Sequence, residues 1–170
     1  MRSIIAVCGS DGSDIHLSSY ALKVAEDVGR FIAQRNGVLL CGGRSGIMQA
    51  ACFGARQAGG VTIGILPESK QEANPYVDIG LISGLGSRRN TLVVGFSDVV
   101  IALAGRWGTL NELTYAFIIK KPVVLIRGTG GCVDALISGA FHINSQDHPY
   151  YIADSAFDAV EKAFALLKGR

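Results

Sequence analysis

The chain has 170 residues, of which 49% are hydrophobic and 18% are charged, and its formal net charge is +2. This size and composition are typical of one compact domain with a conventional core, and they exclude disorder, coiled coil and low complexity. The Lys and Arg residues are few and scattered, which excludes the broad basic surface that duplex DNA or an anionic membrane selects.

Short apolar runs rich in β-branched residues alternate with segments of helical periodicity. The predicted strands span residues 3–8, 38–41, 61–66, 77–82, 98–103 and 123–127. The predicted helices span residues 14–36, 46–58, 86–96, 108–120 and 155–168. Strands that are apolar on both faces are typical of a parallel sheet between helices. We therefore predict a single α/β domain over residues 1–170, a three-layer, doubly wound, mainly parallel sheet of six to seven strands with helices on both faces.

Two of the predicted helices differ in their apolar patterning. The 155–168 helix is amphipathic, with Val160 and Phe164 on one face and Glu161 and Lys168 on the other, so it should cover one side of the sheet. The 46–58 helix has almost no polar face. A helix of that kind must be buried, which predicts a subunit interface and a homo-oligomer, a dimer or larger.

The chain shows no pattern for membrane insertion, secretion or metal binding. Its first apolar run is too short for a signal peptide, and no segment approaches the roughly 20 apolar residues that span a bilayer. The cysteines show no C-x-x-C spacing and the histidines no paired spacing. We therefore predict a cytoplasmic protein with reduced, mostly buried thiols, no membrane contact and no metal site.

Glycine is about 13% of the chain, 22 of 170 residues, against an ordinary usage of roughly 7%. Three glycine-rich loops, at residues 9–13, 42–46 and 105–109, follow predicted strands and lead into helices. Ligands of a doubly wound sheet bind beyond the carboxyl ends of the strands, where helix N-termini favour phosphate. The candidate ligand-binding residues are Gly9, Ser10, Gly42, Gly43, Arg44, Gly46, Gly105, Arg106, Trp107, Gly108 and Thr109. None of the loops matches a P-loop or a dinucleotide-binding fingerprint, which disfavours an ATPase or a dinucleotide dehydrogenase.

Two charged positions near these loops have both structural and functional interpretations. Glu112 follows Thr109 at the T-x-x-E spacing of a capping box. Alternatively, its carboxylate lies beside a phosphate cradle and deprotonates water or stabilises a cationic sugar transition state. The Arg88-Arg89 pair suits bidentate binding of phosphate, or else forms a solvated helix face or a surface ion pair.

Four linked motifs resemble the Lonely Guy (LOG) superfamily. They are L-L-C-G-G-R-S-G-I-M from Leu39, A-G-G-V-T-I-G-I-L-P from Ala58, Arg89, and G-R-W-G-T-L-N-E from Gly105. Their order and spacing match from Val7 to about Ile126, and the chain is most similar to the short branch that includes molybdenum-cofactor carrier proteins. The resemblance implies a Rossmann-like fold, a dimer or larger assembly, and a phosphorylated ligand at residues 104–109.

The LOG enzymes hydrolyse nucleoside 5′-monophosphates to free base and ribose 5-phosphate. Their motif is P-G-G-x-G-T-x-x-E with an upstream Arg-Lys pair, so the resemblance implies that Arg89 and Glu112 are catalytic. This chain departs from the motif at Ala104, Arg106 and Asn90, which replace proline, glycine and lysine. We expect Ala104 to change only the stiffness of the loop, and Arg106 either to add a phosphate contact or to fill the pocket.

The resemblance leaves two functions open. One is a phosphoribohydrolase, and the other is a non-catalytic carrier of the molybdenum cofactor, a phosphorylated pterin. The ligand is then a nucleoside monophosphate or that cofactor, and no resident cofactor is required. A third class, proteins that bind single-stranded DNA, needs a basic channel and has the least support from a net charge of +2.

Overall fold

The computed structural model describes residues 1–140 and 150–168. Seven strands form one parallel sheet: β1 (Ile4–Gly9), β2 (Val38–Cys41), β3 (Val61–Leu66), β4 (Ile79–Ile82), β5 (Val99–Leu103), β6 (Val123–Ile126) and β7 (Tyr150–Ala153). The helices are α1 (Ser19–Gln34), α2 (Ile47–Gln57), α3 (Asn90–Gly95), α4 (Trp107–Ile118), α5 (Gly131–Ile137) and α6 (Ala156–Lys168). The predicted Rossmann-like sheet with helices on both faces is confirmed.

The order of the strands creates the position for a ligand. The sheet runs β4-β3-β2-β1-β5-β6-β7, so the chain first moves outward from β1 and then returns to place β5 on the other side of β1. Helices α1, α2 and α6 pack on one face, and α3, α4 and α5 pack on the other. The loops that follow β1 and β5 therefore diverge, which opens a crevice at their carboxyl ends.

The sequence prediction missed β7 and α5. Strand β7 has only four residues, and α5 begins directly after a Gly-Thr-Gly sequence, residues 128–130, that is typical of a turn. The predicted 14–36 helix begins only at Ser19, because the Ser18 side chain accepts a hydrogen bond from the Ala21 N–H at 3.1 Å and caps the helix there. Residues 11–17 form turns instead.

Two further predicted boundaries were wrong. Strand β4 begins at Ile79 rather than Val77, because the preceding Asp78 turns aside to accept from the Thr62 N–H at 2.9 Å and to pair with Arg56 at 2.7 Å. The predicted 86–96 helix is a 3₁₀ turn, Gly86–Arg89, followed by α3. The change of helix type falls at the arginine pair.

Helix α2 is buried within its own chain. Gly29 of α1 and Gly54 of α2 lie at a close helix crossing, where a Cβ on Gly54 would stand 1.8 Å from the Glu26 carbonyl oxygen and one on Gly29 would stand 1.9 Å from that of Ala51. Two polar residues of α2, Arg56 and Gln57, are exposed. Contact with α1 and the sheet accounts for the apolar surface of α2, so the subunit interface at this helix stays a prediction.

The remaining expectations concern cysteine, membrane and metal. All four cysteines are free thiols, with Cys8, Cys41 and Cys52 buried and Cys132 partly buried, as predicted. Within residues 1–140 and 150–168 no helix is long and apolar enough to cross a membrane. His142 and His148 lie outside the described residues, so the absence of a metal site stays a prediction.

Candidate functional site

A cleft opens at the carboxyl ends of β1, β2 and β5. Nine of the predicted site residues line it: Gly9, Ser10, Gly42, Arg44, Arg89, Arg106, Gly108, Thr109 and Glu112. Its volume is about 200 Å³, below the range of roughly 300–1,000 Å³ for drug-sized ligands. A ligand of nucleotide size therefore extends beyond the cleft over its rim.

The other four predicted residues do not line the cleft. Gly43, Gly46 and Gly105 have φ values of 76°, 69° and 95°, which favour glycine. They allow the turns of the loops without contacting the cleft themselves. A Cβ at Gly46 would stand 2.5 Å from the Ser10 carbonyl oxygen. Trp107, the first residue of α4, is 82% exposed.

Sequence reasoning did not assign four residues that also line the cleft: Asp11, Met48, Ser87 and Asn90. Each is a close neighbour of a residue that it did assign. Asp11 follows Ser10, Met48 lies in the first turn after the second glycine loop, and Ser87 and Asn90 flank the arginine pair. Their position next to assigned residues could have indicated that they also line the cleft.

Glu112 forms a buried acidic wall of the cleft. Helix α4 begins at Trp107, two residues before Thr109, and its N-cap residue Arg106 makes no side-chain capping bond. Glu112 therefore lies in the second turn of the helix, and the capping-box interpretation is wrong. The residue is only 8% exposed. Burial raises the pKa of Glu112 to about 7, against the opposing effects of a hydrogen bond from Cys8 and the charge of Arg89.

Arg89 is a buried residue that links the end of β3, the loop after β2 and its own 3₁₀ turn, so the surface interpretation of this residue is wrong. It is 8% exposed, and it donates from Nε to the Ile65 carbonyl oxygen at 2.8 Å, from Nη2 to that of Gly42 at 3.3 Å and from Nη1 to that of Gly86 at 3.4 Å. A guanidinium carries five N–H groups, so two remain for a ligand. Arg89 thus joins the ends of β2 and β3, and its positive charge and two N–H groups stay available to a ligand in the cleft.

Arg106 spans the rim of the cleft. Its Nη2 donates to Ser13 Oγ at 2.9 Å and lies 3.7 Å from Asp11 Oδ1, which links the loop after β5 to the loop after β1. The side chain is half exposed, so it lines the opening rather than filling the pocket. With Arg44 and Arg89 it supplies three cations against the carboxylates of Asp11 and Glu112, a balance that favours an anionic ligand.

Asn90 stands where the resemblance places lysine. Its side-chain Nδ2 donates to the Gly108 carbonyl oxygen at 3.3 Å and to Asn111 Oδ1 at 3.4 Å. It therefore fixes the first turn of α3 to the first turn of α4. Residue 90 therefore contributes neutral hydrogen bonds between these helices, where a lysine would contribute a positive charge.

The backbone at Ala104 differs from what the motif predicts. Ala104 has a φ of 53°, its N–H donates to Thr129 Oγ1 at 2.8 Å, and its carbonyl oxygen accepts from the Val133 N–H at 3.1 Å. Proline fixes φ near −65° and has no N–H. The expectation that Ala104 changes only the stiffness of the loop is therefore wrong, because the loop adopts a conformation that proline cannot.

Cys8, the residue before the last of β1, is buried, and hydrogen bonding by its thiol lowers the pKa of Glu112. We expect Cys8→Ala to raise the pKa of Glu112 by about half a pH unit, because the charged form loses a donor. Cys8→Ser, which keeps a donor, should leave it close to the wild-type value. The measurement is a pH titration of the Glu112 carboxyl carbon by NMR.

The matched control is Cys52→Ala, which removes another buried thiol, one whose Sγ lies 3.6 Å from Cys41 Sγ. This variant should leave the titration of Glu112 unchanged. An identical midpoint in wild-type protein and Cys8→Ala would show that the thiol does not tune the carboxyl group.

Comparison with known proteins assigns the family. Residues 2–156 match the model of the SLOG cluster4 family. The chain belongs to that family. It thus lies in the superfamily that includes the LOG phosphoribohydrolases and the molybdenum-cofactor carrier proteins.

The similar proteins include members of two functional groups, molybdenum-cofactor proteins and phosphoribohydrolases. The molybdenum cofactor binding protein from Rippkaea orientalis is 36% identical, with a TM-score of 0.87, and the match covers 98% of each chain. The molybdenum cofactor carrier protein from Chlamydomonas reinhardtii is 34% identical, with a TM-score of 0.83, over 99% of each chain. The cytokinin riboside 5′-monophosphate phosphoribohydrolase LOG from Oryza sativa subsp. japonica is 32% identical over 140 residues, which are 76% of this chain and 56% of that protein.

Proposed function

We propose that this cleft binds a nucleoside 5′-monophosphate and hydrolyses its N-glycosidic bond. The observation that supports the proposal is the buried carboxyl group of Glu112, which has a pKa of about 7 and lies on the cleft beside Arg89. A carboxyl group that titrates near neutral pH is suited to proton transfer, and its ionised form stabilises positive charge on a sugar.

The other residues of the cleft bind the phosphate and orient the ribose phosphate. The backbone N–H groups of Gly108 and Thr109 at the start of α4 donate to the phosphate oxygens, with Arg106 and Arg44 at the rim. The two further N–H groups of Arg89 orient the ribose phosphate. Glu112 takes a proton from water as the water oxygen bonds to the anomeric carbon. The base leaves with the electrons of the C–N bond and accepts a proton from the solvent.

The test is a turnover assay with AMP and the other nucleoside monophosphates, in which free base is separated by chromatography. We expect adenine and ribose 5-phosphate from AMP. Adenosine, which lacks the phosphate, is the matched substrate control and should react far more slowly. The absence of base release from every monophosphate would exclude the hydrolase.

A second candidate is a non-catalytic carrier of the molybdenum cofactor. It is supported by the similarity to carrier proteins over almost the whole chain and by the loop at Ala104 and Arg106, which differs from the enzymes' motif. Native mass spectrometry of freshly purified protein tests it. A bound phosphorylated pterin without nucleotide turnover supports the carrier, and a ligand-free mass under all growth conditions contradicts it.

We also propose that the chain self-associates. Trp107 and Ile118 lie eleven residues apart, and thus on one side of α4, and both are exposed, as is Phe96 at the end of the adjacent α3. Large apolar side chains that are exposed along one side of a helix are typical of protein contacts. Light scattering at micromolar concentration should give a dimer or larger, and a monomer would contradict the proposal.

A further inference from the structure

The connection between β3 and β4, residues 67–78, packs against the loop that follows β2. We call this connection the strap. Within it, Asn74 is only 7% exposed. The Asn74 backbone N–H donates to the Gly43 carbonyl oxygen at 2.8 Å, and its side-chain Nδ2 donates at 3.0 Å to the carbonyl oxygens of both Gly43 and Arg44.

These bonds set the direction of two peptide groups. In a planar trans peptide the N–H points opposite to the carbonyl of the preceding residue. Because the carbonyls of Gly43 and Arg44 face Asn74, the N–H groups of Arg44 and Ser45 are directed away from the strap. Among the residues that the structure describes, neither N–H donates a hydrogen bond, and Arg44 itself lines the cleft.

We propose that Asn74 is a positioning residue that orients the Gly43–Ser45 peptides so that the Arg44 and Ser45 N–H groups bind an oxyanion of the ligand. The inference rests on the proposed function, because it takes phosphate as the anion. Consecutive N–H groups in a turn form an anion-binding concavity, and the Arg44 guanidinium adds positive charge beside it. This contact is additional to the loop at the start of α4.

The amide side chain is specifically required at residue 74. Its Oδ1 accepts from the Tyr76 N–H at 3.0 Å while its Nδ2 serves both carbonyls, so both ends of the amide are used. Aspartate has the same shape and keeps the acceptor, but it would place a carboxylate against two carbonyl oxygens. Alanine would leave both carbonyls without their side-chain donor.

The test compares Asn74→Ala and Asn74→Asp with the wild-type full chain. Calorimetry with AMP should show a loss of affinity of about tenfold or more in both variants, since two hydrogen bonds that fix the loop are removed. In ¹H–¹⁵N spectra of the wild-type protein, AMP and orthophosphate should both shift the Arg44 and Ser45 amide signals. In the variants these shifts should be much smaller.

The matched control is Ser69→Ala. Ser69 and Glu72 form a capping box in the same strap, so this variant loosens the strap without touching the contacts of Asn74. It should bind AMP with wild-type affinity. Wild-type affinity and wild-type amide shifts in Asn74→Ala would overturn the positioning role, as would an equal loss in Ser69→Ala. If the wild-type protein binds neither AMP nor orthophosphate, the proposed function itself fails, which is a separate result.

Discussion

Replacement of Glu112 by glutamine is expected to lower the release of adenine from AMP by about 10²- to 10⁴-fold, the usual contribution of a general acid or base. Glutamine has the same shape, but it neither accepts a proton nor carries the negative charge that stabilises a cationic sugar. Steady-state kinetics at pH 7.5 measure the loss, and binding of AMP should be largely retained. A glutamine variant with undiminished turnover would remove Glu112 from the mechanism.

The same carboxyl group predicts the pH dependence of the reaction. If the ionised form of Glu112 is the active one, the rate should rise with pH and level off above about 7, the pKa that burial produces. The residual rate of Glu112→Gln should lack this step. A wild-type rate that is constant from about pH 5.5 to 8.5 would contradict the role of this carboxyl group.

Replacement of Glu112 by glutamine is also expected to increase the free energy of unfolding above neutral pH. Its pKa is raised from an ordinary value of 4.5 to about 7 in the folded chain, so its contribution to stability is present below pH 4.5 and is lost as the pH rises through 7. The full loss is about 3 kcal/mol. Glu112→Gln should therefore unfold at higher urea concentration than the wild type at pH 8 and show a smaller difference at pH 4.5.

Introduction of the motif's proline at residue 104 is expected to destabilise the protein rather than restore an enzyme-like loop. Ala104→Pro forces φ from 53° to near −65° and removes the N–H that donates to Thr129 Oγ1. The expected cost is about 3–5 kcal/mol in the free energy of unfolding, together with loss of ligand binding. Urea unfolding followed by circular dichroism measures the free energy of unfolding, and calorimetry with AMP measures ligand binding.

The matched control for this variant is Ala104→Gly. Glycine accepts positive φ without strain and keeps the N–H, so its stability should stay within about 1 kcal/mol of the wild type. A proline variant as stable as the wild type would show that the loop can adopt the backbone of the LOG motif. The difference at Arg106 would then be the remaining departure of this loop from the LOG motif.

The sequence predicted the parts of the fold that rest on repeated local patterns. Apolar runs such as 99–103 are buried on both faces of the sheet, so composition alone indicates them. Strand β7 could not be found in this way, because it is a four-residue edge strand whose Tyr151 is exposed and whose partner is set by the tertiary fold. The start of α1 was misplaced because Asp14, like Ser18, is a residue type preferred as a helix cap, and no pattern in the sequence separates the turns of residues 14–17 from the helix.

The site was predictable where glycine loops follow strands, and not where function depends on burial. Position along the chain indicated Arg89 and Glu112 as functional residues, but it could not show that Arg89 holds three carbonyls or that Glu112 titrates near neutral pH. Asn74 was not found at all. Its importance comes from a contact with residues about thirty positions earlier, and nothing in its own neighbourhood indicates that contact.

The crossing of α1 and α2 at Gly29 and Gly54 has a consequence for how the cleft can move. The loop after β1 leads into α1 and the loop after β2 leads into α2, so two helices in backbone contact bind these loops into one rigid half of the cleft. The loop at the start of α4 belongs to the opposite layer of the sheet. If the cleft closes around a ligand, we expect the loop at the start of α4 to approach this rigid half, along the contact of Arg106 with Ser13, rather than the two glycine loops to approach each other.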